Sequence, residues 1–209
     1  MGASTLLGSQ TCVEELRNLI SAVAPAQASS WAEILVEEFG GLRALLDAPA
    51  ERVRSLTGCG AELPALFATA RRLLAHVLRE RLVGRPIISS SDALADYLKF
   101  TFGGLRTEQV RALYLDVKNF LIRDELVGEG TLNQAPIYPR RIVKRALELD
   151  AGGLILVHNH PSGDASPSVS DRDATTALID AARGLDIILH DHVIVGRNSM
   201  TSFRALGYL

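Results

Sequence analysis

The sequence predicts an α/β domain preceded by an all-helical one, and three observations carry that reading. Up to about residue 82, apolar residues recur at three- and four-residue spacing. Beyond it, short strand-like runs alternate with helical ones. One of those runs, Gly153 to Val157, is continuously apolar, the mark of a strand buried on both faces. The texture changes at Val83-Gly84-Arg85-Pro86, where Pro86 also biases Arg85 away from helix. The expected domains are therefore 1–86 and 87–209.

In the first domain, helical periodicity covers Cys12 to Val23, Ser30 to Leu46 and Leu63 to Arg81, with Gly40-Gly41 and Pro49 as punctuation. The second opens on Ser89-Ser90-Ser91-Asp92, a cap-like cluster before a helix from Ala93 to Phe100. Val110 to Leu115 and Phe120 to Ile122 are strand-like around the turn composition Asp116-Val117-Lys118-Asn119, so they read as a hairpin. Ile142, Val143, Ala146 and Leu147 mark a helix, and Gly153 to Val157 the buried strand. A helix from Ala174 to Arg183 stops at Gly184, and Ile187 to Val195 reads as another strand.

Composition narrows the class. A chain of 209 residues, 47% hydrophobic and 22% charged, fits one or two globular domains. No apolar run reaches the roughly eighteen residues of a membrane span, and the first residues lack the order of a secretory signal, so a cytoplasmic protein without a membrane partner is expected. Leu6 stands where a myristoylation signal needs Ser or Thr. Cys12 and Cys59 are too few for a cysteine zinc finger or a disulfide framework, so any metal must use His and carboxylate ligands. The net charge is -2, and residues 1–85 carry nine basic and nine acidic side chains, so no basic surface calls for nucleic acid.

The chemistry concentrates after the buried strand, in Leu156-Val157-His158-Asn159-His160-Pro161-Ser162-Gly163-Asp164-Ala165-Ser166-Pro167-Ser168-Val169-Ser170-Asp171. Strand side chains alternate, so His158 and His160 project from one face and can share a cation. Pro161 stops the strand, and the turn through Gly163 and Pro167 brings Asp171 back as a third ligand. Two imidazoles and a carboxylate leave a fourth tetrahedral position for water, the open arrangement of catalytic zinc. Taken alone, Ser168 and Asp171 read equally as a helix N-cap, and the two uses are compatible.

His158-x-His160, seven residues, Ser168, two residues, Asp171 is the JAMM (MPN-type) metalloprotease motif, and the surrounding sequence resembles the RadC family. The resemblance runs from about residue 87 to 209 through LYLDVKNFLI, GTLNQAPIYPRRIVKRAL, LVHNHPSGDASPSVSDRDAT, DHVIVG and MTSFRALGYL. It implies a cytidine-deaminase-like α/β fold with a mixed, mostly antiparallel sheet, a zinc ion (Zn2+) on His158, His160 and Asp171, and hydrolysis of peptide or isopeptide bonds. By the same resemblance Glu108, ahead of the first strand, is the general base, with Glu125 and Glu129 as alternatives, and Ser168 steadies the oxyanion. Arg140 and Arg141 sit where the family carries an arginine at a helix start, as a substrate contact or an exposed turn.

RadC proteins carry a helix-hairpin-helix region in the N-terminal half, and Leu56-Thr57-Gly58-Cys59-Gly60 resembles its turn. Ala61 and Glu62 depart from the pattern, placing an acidic side chain where a DNA phosphate would bind. His190 and His192, two apart in a strand, are expected on one face with Asp191 on the other, as structural or ligand-supporting residues. His76 is expected on the surface. Three function classes stay open: an amide hydrolase acting on a peptide or protein, a DNA repair or recombination protein, and a non-catalytic scaffold.

Overall fold

The computed structural model describes residues 3–87, 91–130 and 136–209, with side chains from residue 10 onward. Ser89 and Ser90 of the expected cap and residues 131–135 of the GTLNQAPIYPRRIVKRAL motif lie outside the described residues. The chain divides into two compact units, Met1–His76 and Val77–Leu209.

The first unit is helical: α1 (Ala3–Ser21), α2 (Ala28–Phe39), α3 (Leu42–Leu46), α4 (Ala50–Thr57) and α5 (Glu62–Glu80), the last running on into the second unit. The helical segment expected from Ser30 to Leu46 is broken in two at its Gly40-Gly41 punctuation. Gly40, at φ 70°, takes the left-handed C-cap, and its N–H closes on the Val36 carbonyl. The short α4 had no periodic signature, because Val53 is its one fully buried side chain among Glu51, Arg52, Arg54 and Ser55. Leu16, Ile20, Leu35, Val53, Leu63 and Phe67 anchor the core of this unit. Cys12 and Cys59 pack at its margin as free thiols. At the α4–α5 turn the Glu62 carboxylate lies back over Gly60, occupying the space a Cβ there would need.

The second unit is built on a five-stranded sheet in the order β2-β1-β3-β4-β5. Its strands are β1 (Gln109–Leu115), β2 (Leu121–Glu129), β3 (Gly153–Asn159), β4 (Ile188–Val195) and β5 (Met200–Ser202). Only the β3–β4 pairing is parallel. The connection between those two strands is α8 (Val169–Arg183), as a parallel crossover requires. The sheet is thus mixed and mostly antiparallel, as the sequence predicts. β2 continues well past Ile122 despite Arg123, Asp124 and Glu125. The charge at Asp124 is neutralised in place: its buried carboxylate accepts bonds from Arg111 (Nε, 2.6 Å) and from the Tyr97 hydroxyl. β5 is too short to leave a pattern.

Helices cover both faces. Leu113, Leu115, Ile155 and Val157 pack under α6 (Ser91–Phe102), while Ala112, Tyr114, Leu154 and Leu156 pack under α7 (Pro139–Glu148) and α8. All seven residues of β3 are buried, each large aliphatic one contributing about 1.5–3 kcal/mol. The phase that sends Leu154 and Leu156 toward α8 sends His158 there as well. Among the described residues, no helix is long and apolar enough to cross a membrane.

The histidines of β4 do not share a face. The ladder passes from Leu154↔Leu189 directly to Ile155↔Asp191, so His190 is an extra residue that breaks the alternation. His190 lies over Gly153, where a Cβ would collide with its ring. His192 faces the other way, toward α8, and is fully buried.

Candidate metal centre

β3 delivers its end to the start of α8. His158 Nε2 and His160 Nε2 stand 3.0 Å apart. Asp171 Oδ1 is 3.2 Å from His158 Nε2, and Oδ2 is 3.5 Å from His160 Nε2. Among the described residues these three side chains form the cluster of His, Cys, Asp and Glu able to hold a metal ion.

Asp171 is held in place by the cap that sequence reading weighed against ligation. Ser168 is the N-cap of α8 and Asp171 its third residue, in a reciprocal capping box. The Ser168 N–H and Oγ–H both donate to Asp171 Oδ2, at 2.8 and 2.6 Å, while the Asp171 N–H donates back to Oγ at 3.2 Å. Capping consumes Oδ2 and leaves Oδ1 turned to His158. Burial pushes the Asp171 carboxyl up, but its interactions with the His158 and His160 rings and the bonds from Ser168 outweigh it and hold the group ionised far below the usual carboxylate range.

The tautomers of the histidines follow from their outer contacts. Thr175 Oγ1 donates its one proton to the Asp171 carbonyl at 2.6 Å and also lies 2.6 Å from His192 Nδ1, so that nitrogen must be the donor. Burial first, then the neighbouring His158, drives the His192 pKa well down, so its ring is neutral and Nε2 is bare. That Nε2 lies 2.8 Å from His158 Nδ1, which must therefore carry a hydrogen. In its neutral form His158 then offers a bare Nε2 to the cluster. His160 reaches the same state by a shorter path, its Nδ1–H donating to the Asp164 carbonyl at 2.7 Å. Two bare nitrogens 3.0 Å apart repel unless a positive charge stands between them. The His160 pKa is accordingly raised, first by its bond to Asp171, against burial, with the Asp164 carbonyl and the charges of Asp171 and Glu108 adding to the shift.

The closing segment backs this arrangement. Asp191 Oδ1 accepts the N–H of Arg204 at 3.0 Å, and Oδ2 accepts the Ser202 hydroxyl at 2.5 Å. That turn sets the buried Phe203 ring edge-on to His192, centroids 4.6 Å apart, and against Ala165 of the ligand loop.

Glu108, 8% exposed, precedes β1. The β1–β3 register ends with Val110 opposite His158, and the charge of Glu108 contributes to raising the pKa of His160. Glu125 points elsewhere: Arg145 holds it through two bonds, at 2.9 and 2.7 Å, and lowers its pKa. Glu129 takes a bond from Gln109 Nε2 at 3.2 Å. Arg140 and Arg141 are exposed in the first turn of α7, Arg141 stacked 5.0 Å above the Tyr138 ring. His76 is exposed on α5. Sequence reading placed Asn159 between the two histidines without giving it a role, and it passed over Thr175. Thr175 had a signal, since Asp171, Thr175, Leu178 and Ala182 form the buried stripe of α8.

An α/β sandwich with a His-x-His strand end and a carboxylate in the following helix defines the class of JAB domains. Residues 88–208 match the family model described as a RadC-like JAB domain. A UPF0758 protein of Ruegeria pomeroyi is 47% identical over 182 residues, covering 85% of this chain and 80% of the relative. A UPF0758 protein of Rhodobacter capsulatus is 46% identical over 179 residues, covering 84% of this chain and 82% of its own length. The chain belongs to the RadC family.

Proposed function

We propose that this protein is a zinc-dependent hydrolase of amide bonds in a peptide or protein substrate, peptide or isopeptide, acting in the cytoplasm. The observation that supports it best is the convergence of two bare imidazole nitrogens and an ionised carboxylate whose outer lone pairs and protons are already committed. Ligand atoms at about 2.0–2.1 Å from a tetrahedral zinc stand about 3.3 Å from one another, and the 3.0 Å between the two Nε2 atoms and the 3.2 Å from His158 Nε2 to Asp171 Oδ1 are close to that spacing. His158, His160 and Asp171 would hold the ion, which supplies a Lewis acid and brings the pKa of water close to neutrality.

The protein's own groups handle protons and charge. Glu108 takes a proton on its carboxylate from the attacking water and delivers it to the departing amide nitrogen. Ser168 donates to Asp171 while the carboxylate bears its full charge. With the ion bound, the same hydroxyl would be the donor that steadies the oxyanion on the substrate. His192 and Thr175 keep His158 in the ligating tautomer.

The test measures metal content of the purified protein by mass spectrometry and turnover on a panel of fluorogenic peptides and lysine isopeptides. Glu108→Gln is expected to keep the metal and lose about 10²–10⁴-fold in turnover. A metal-free native protein, or full activity in the variant, would remove the mechanism.

A further inference from the structure

We infer that Asn159 is a positioning residue for Glu108, an inference that rests on the hydrolase reading above. Asn159 stands between the two histidines, yet its side chain does not join them. It is 1% exposed and reaches sideways to the entry of β1. There its Oδ1 accepts the Gln109 N–H at 2.9 Å, and its Nδ2 donates to the Thr107 carbonyl at 3.1 Å. With the amide turned over, donor would face donor and acceptor would face acceptor, so the network fixes its orientation.

These two bonds fall on either side of Glu108. The Thr107 carbonyl belongs to the peptide plane before it, and the Gln109 N–H to the plane after it. The second plane is held again at the Glu108 carbonyl, which accepts the Gly130 N–H at 2.9 Å. Fixing both planes fixes φ and ψ at Glu108, and with them the direction in which its Cα–Cβ bond leaves the chain. The β1–β3 pairing ends at Val110↔His158, so at Glu108 the side-chain amide does what a ladder would otherwise do.

The clamp has a consequence for the chemistry. One buried residue, covalently between both histidine ligands, also holds the backbone of the base. The direction in which the Glu108 side chain leaves the backbone is therefore held in part through this one side chain. A general base displaced by about 1 Å loses on the order of 10²-fold in rate, which is the size of effect a positioning residue should show.

A double-mutant cycle tests this, using the zinc-loaded full chain, the fluorogenic panel and hydrogen exchange at the Gln109 amide. Asn159→Ala is expected to keep one metal per chain, to speed Gln109 exchange, and to lower kcat by about 10²-fold with little change in KM. On a Glu108→Gln background the same substitution should cost nothing further. Asn159→Ser, with a smaller volume change, serves if the alanine variant does not fold. An equal loss on both backgrounds would show that Asn159 does not act through Glu108, and unchanged Gln109 exchange would show that there is no clamp. Exchange needs no substrate, so that arm decides even when no panel member is cleaved. If Glu108→Gln alone keeps full activity, it is the hydrolase reading that fails, and this inference goes with it.

Discussion

Replacing Thr175 with valine removes one hydroxyl from the interior and should be felt at the metal. Valine has nearly the shape of threonine, so packing in the α8 stripe is preserved. What is lost is the acceptor for His192 Nδ1–H at 2.6 Å, in a place where the ring is fully buried and water cannot replace it. Leaving that N–H unpaired costs roughly 1–3 kcal/mol of stability. The ring can relieve the cost by moving its hydrogen to Nε2, but Nε2 then points a donor at His158 Nδ1, 2.8 Å away. His158 must answer by becoming an acceptor there, which places its own hydrogen on Nε2, the ligating atom. Either outcome weakens ligation without touching a ligand. Loss of such an outer partner typically lowers affinity 10–100-fold, about 1.4–2.7 kcal/mol. Competition against a chromophoric chelator measures this directly. Thr175→Val should bind zinc 10–100-fold more weakly while its metal-free form melts cooperatively at a slightly lower temperature. Unchanged zinc affinity in a folded variant would refute the tautomer chain.

Two further outcomes are expected. Burial lowers the pKa of His192 and, less deeply, of His190, so the unfolded state takes up protons first as pH falls below about 6.5, and stability declines by up to about 1.4 kcal/mol per pH unit for each such proton. The raised pKa of His160 acts on the other side: its contribution is complete below about 6.5 and is lost as pH rises through the folded value. The metal-free protein should therefore be most stable near pH 6.5 in chemical-denaturation series, and a stability that climbs steadily from pH 5 to 9 would contradict these assignments. At the α4–α5 turn, the Glu62 carboxylate fills the space at Gly60 that a phosphate would approach. Anisotropy with a short DNA duplex at low ionic strength should show no salt-sensitive binding. Tight, salt-sensitive binding would restore the DNA reading.

The legible part of the site was the part encoded locally. His158, His160 and Asp171 lie within one strand end, one turn and one helix cap, and periods of two and of a helix turn suffice to bring them together. The supporting residues come from further away and through irregularities. His192 is 34 residues beyond His158, and its facing depends on an extra residue at His190 that no periodicity announces. Asn159 could be seen only once β1 was known to lie beside β3. In the helical unit the break was legible as composition: Gly40-Gly41 punctuates the apolar spacing, and the left-handed turn at Gly40 cuts the helix there. The sheet was harder at β2, where Arg123, Asp124 and Glu125 conceal a strand whose charges find partners on β1, α6 and α7.

The extra residue at His190 makes the irregular pairing of this stretch as specific as its composition. Ile187 and Leu189 face the same side of the sheet as His192, although an unbroken strand would set Leu189 and His192 on opposite sides. Deleting one residue at 190 would leave every side chain of the site present and the β3–β4 ladder more regular. Pairing the strand regularly with His190 retained would instead force a choice: either Ile187 and Leu189 keep their core, or His192 keeps Thr175. The fold carries a half-step in phase at this point, and the histidine that steadies the metal ligand stands on the far side of it.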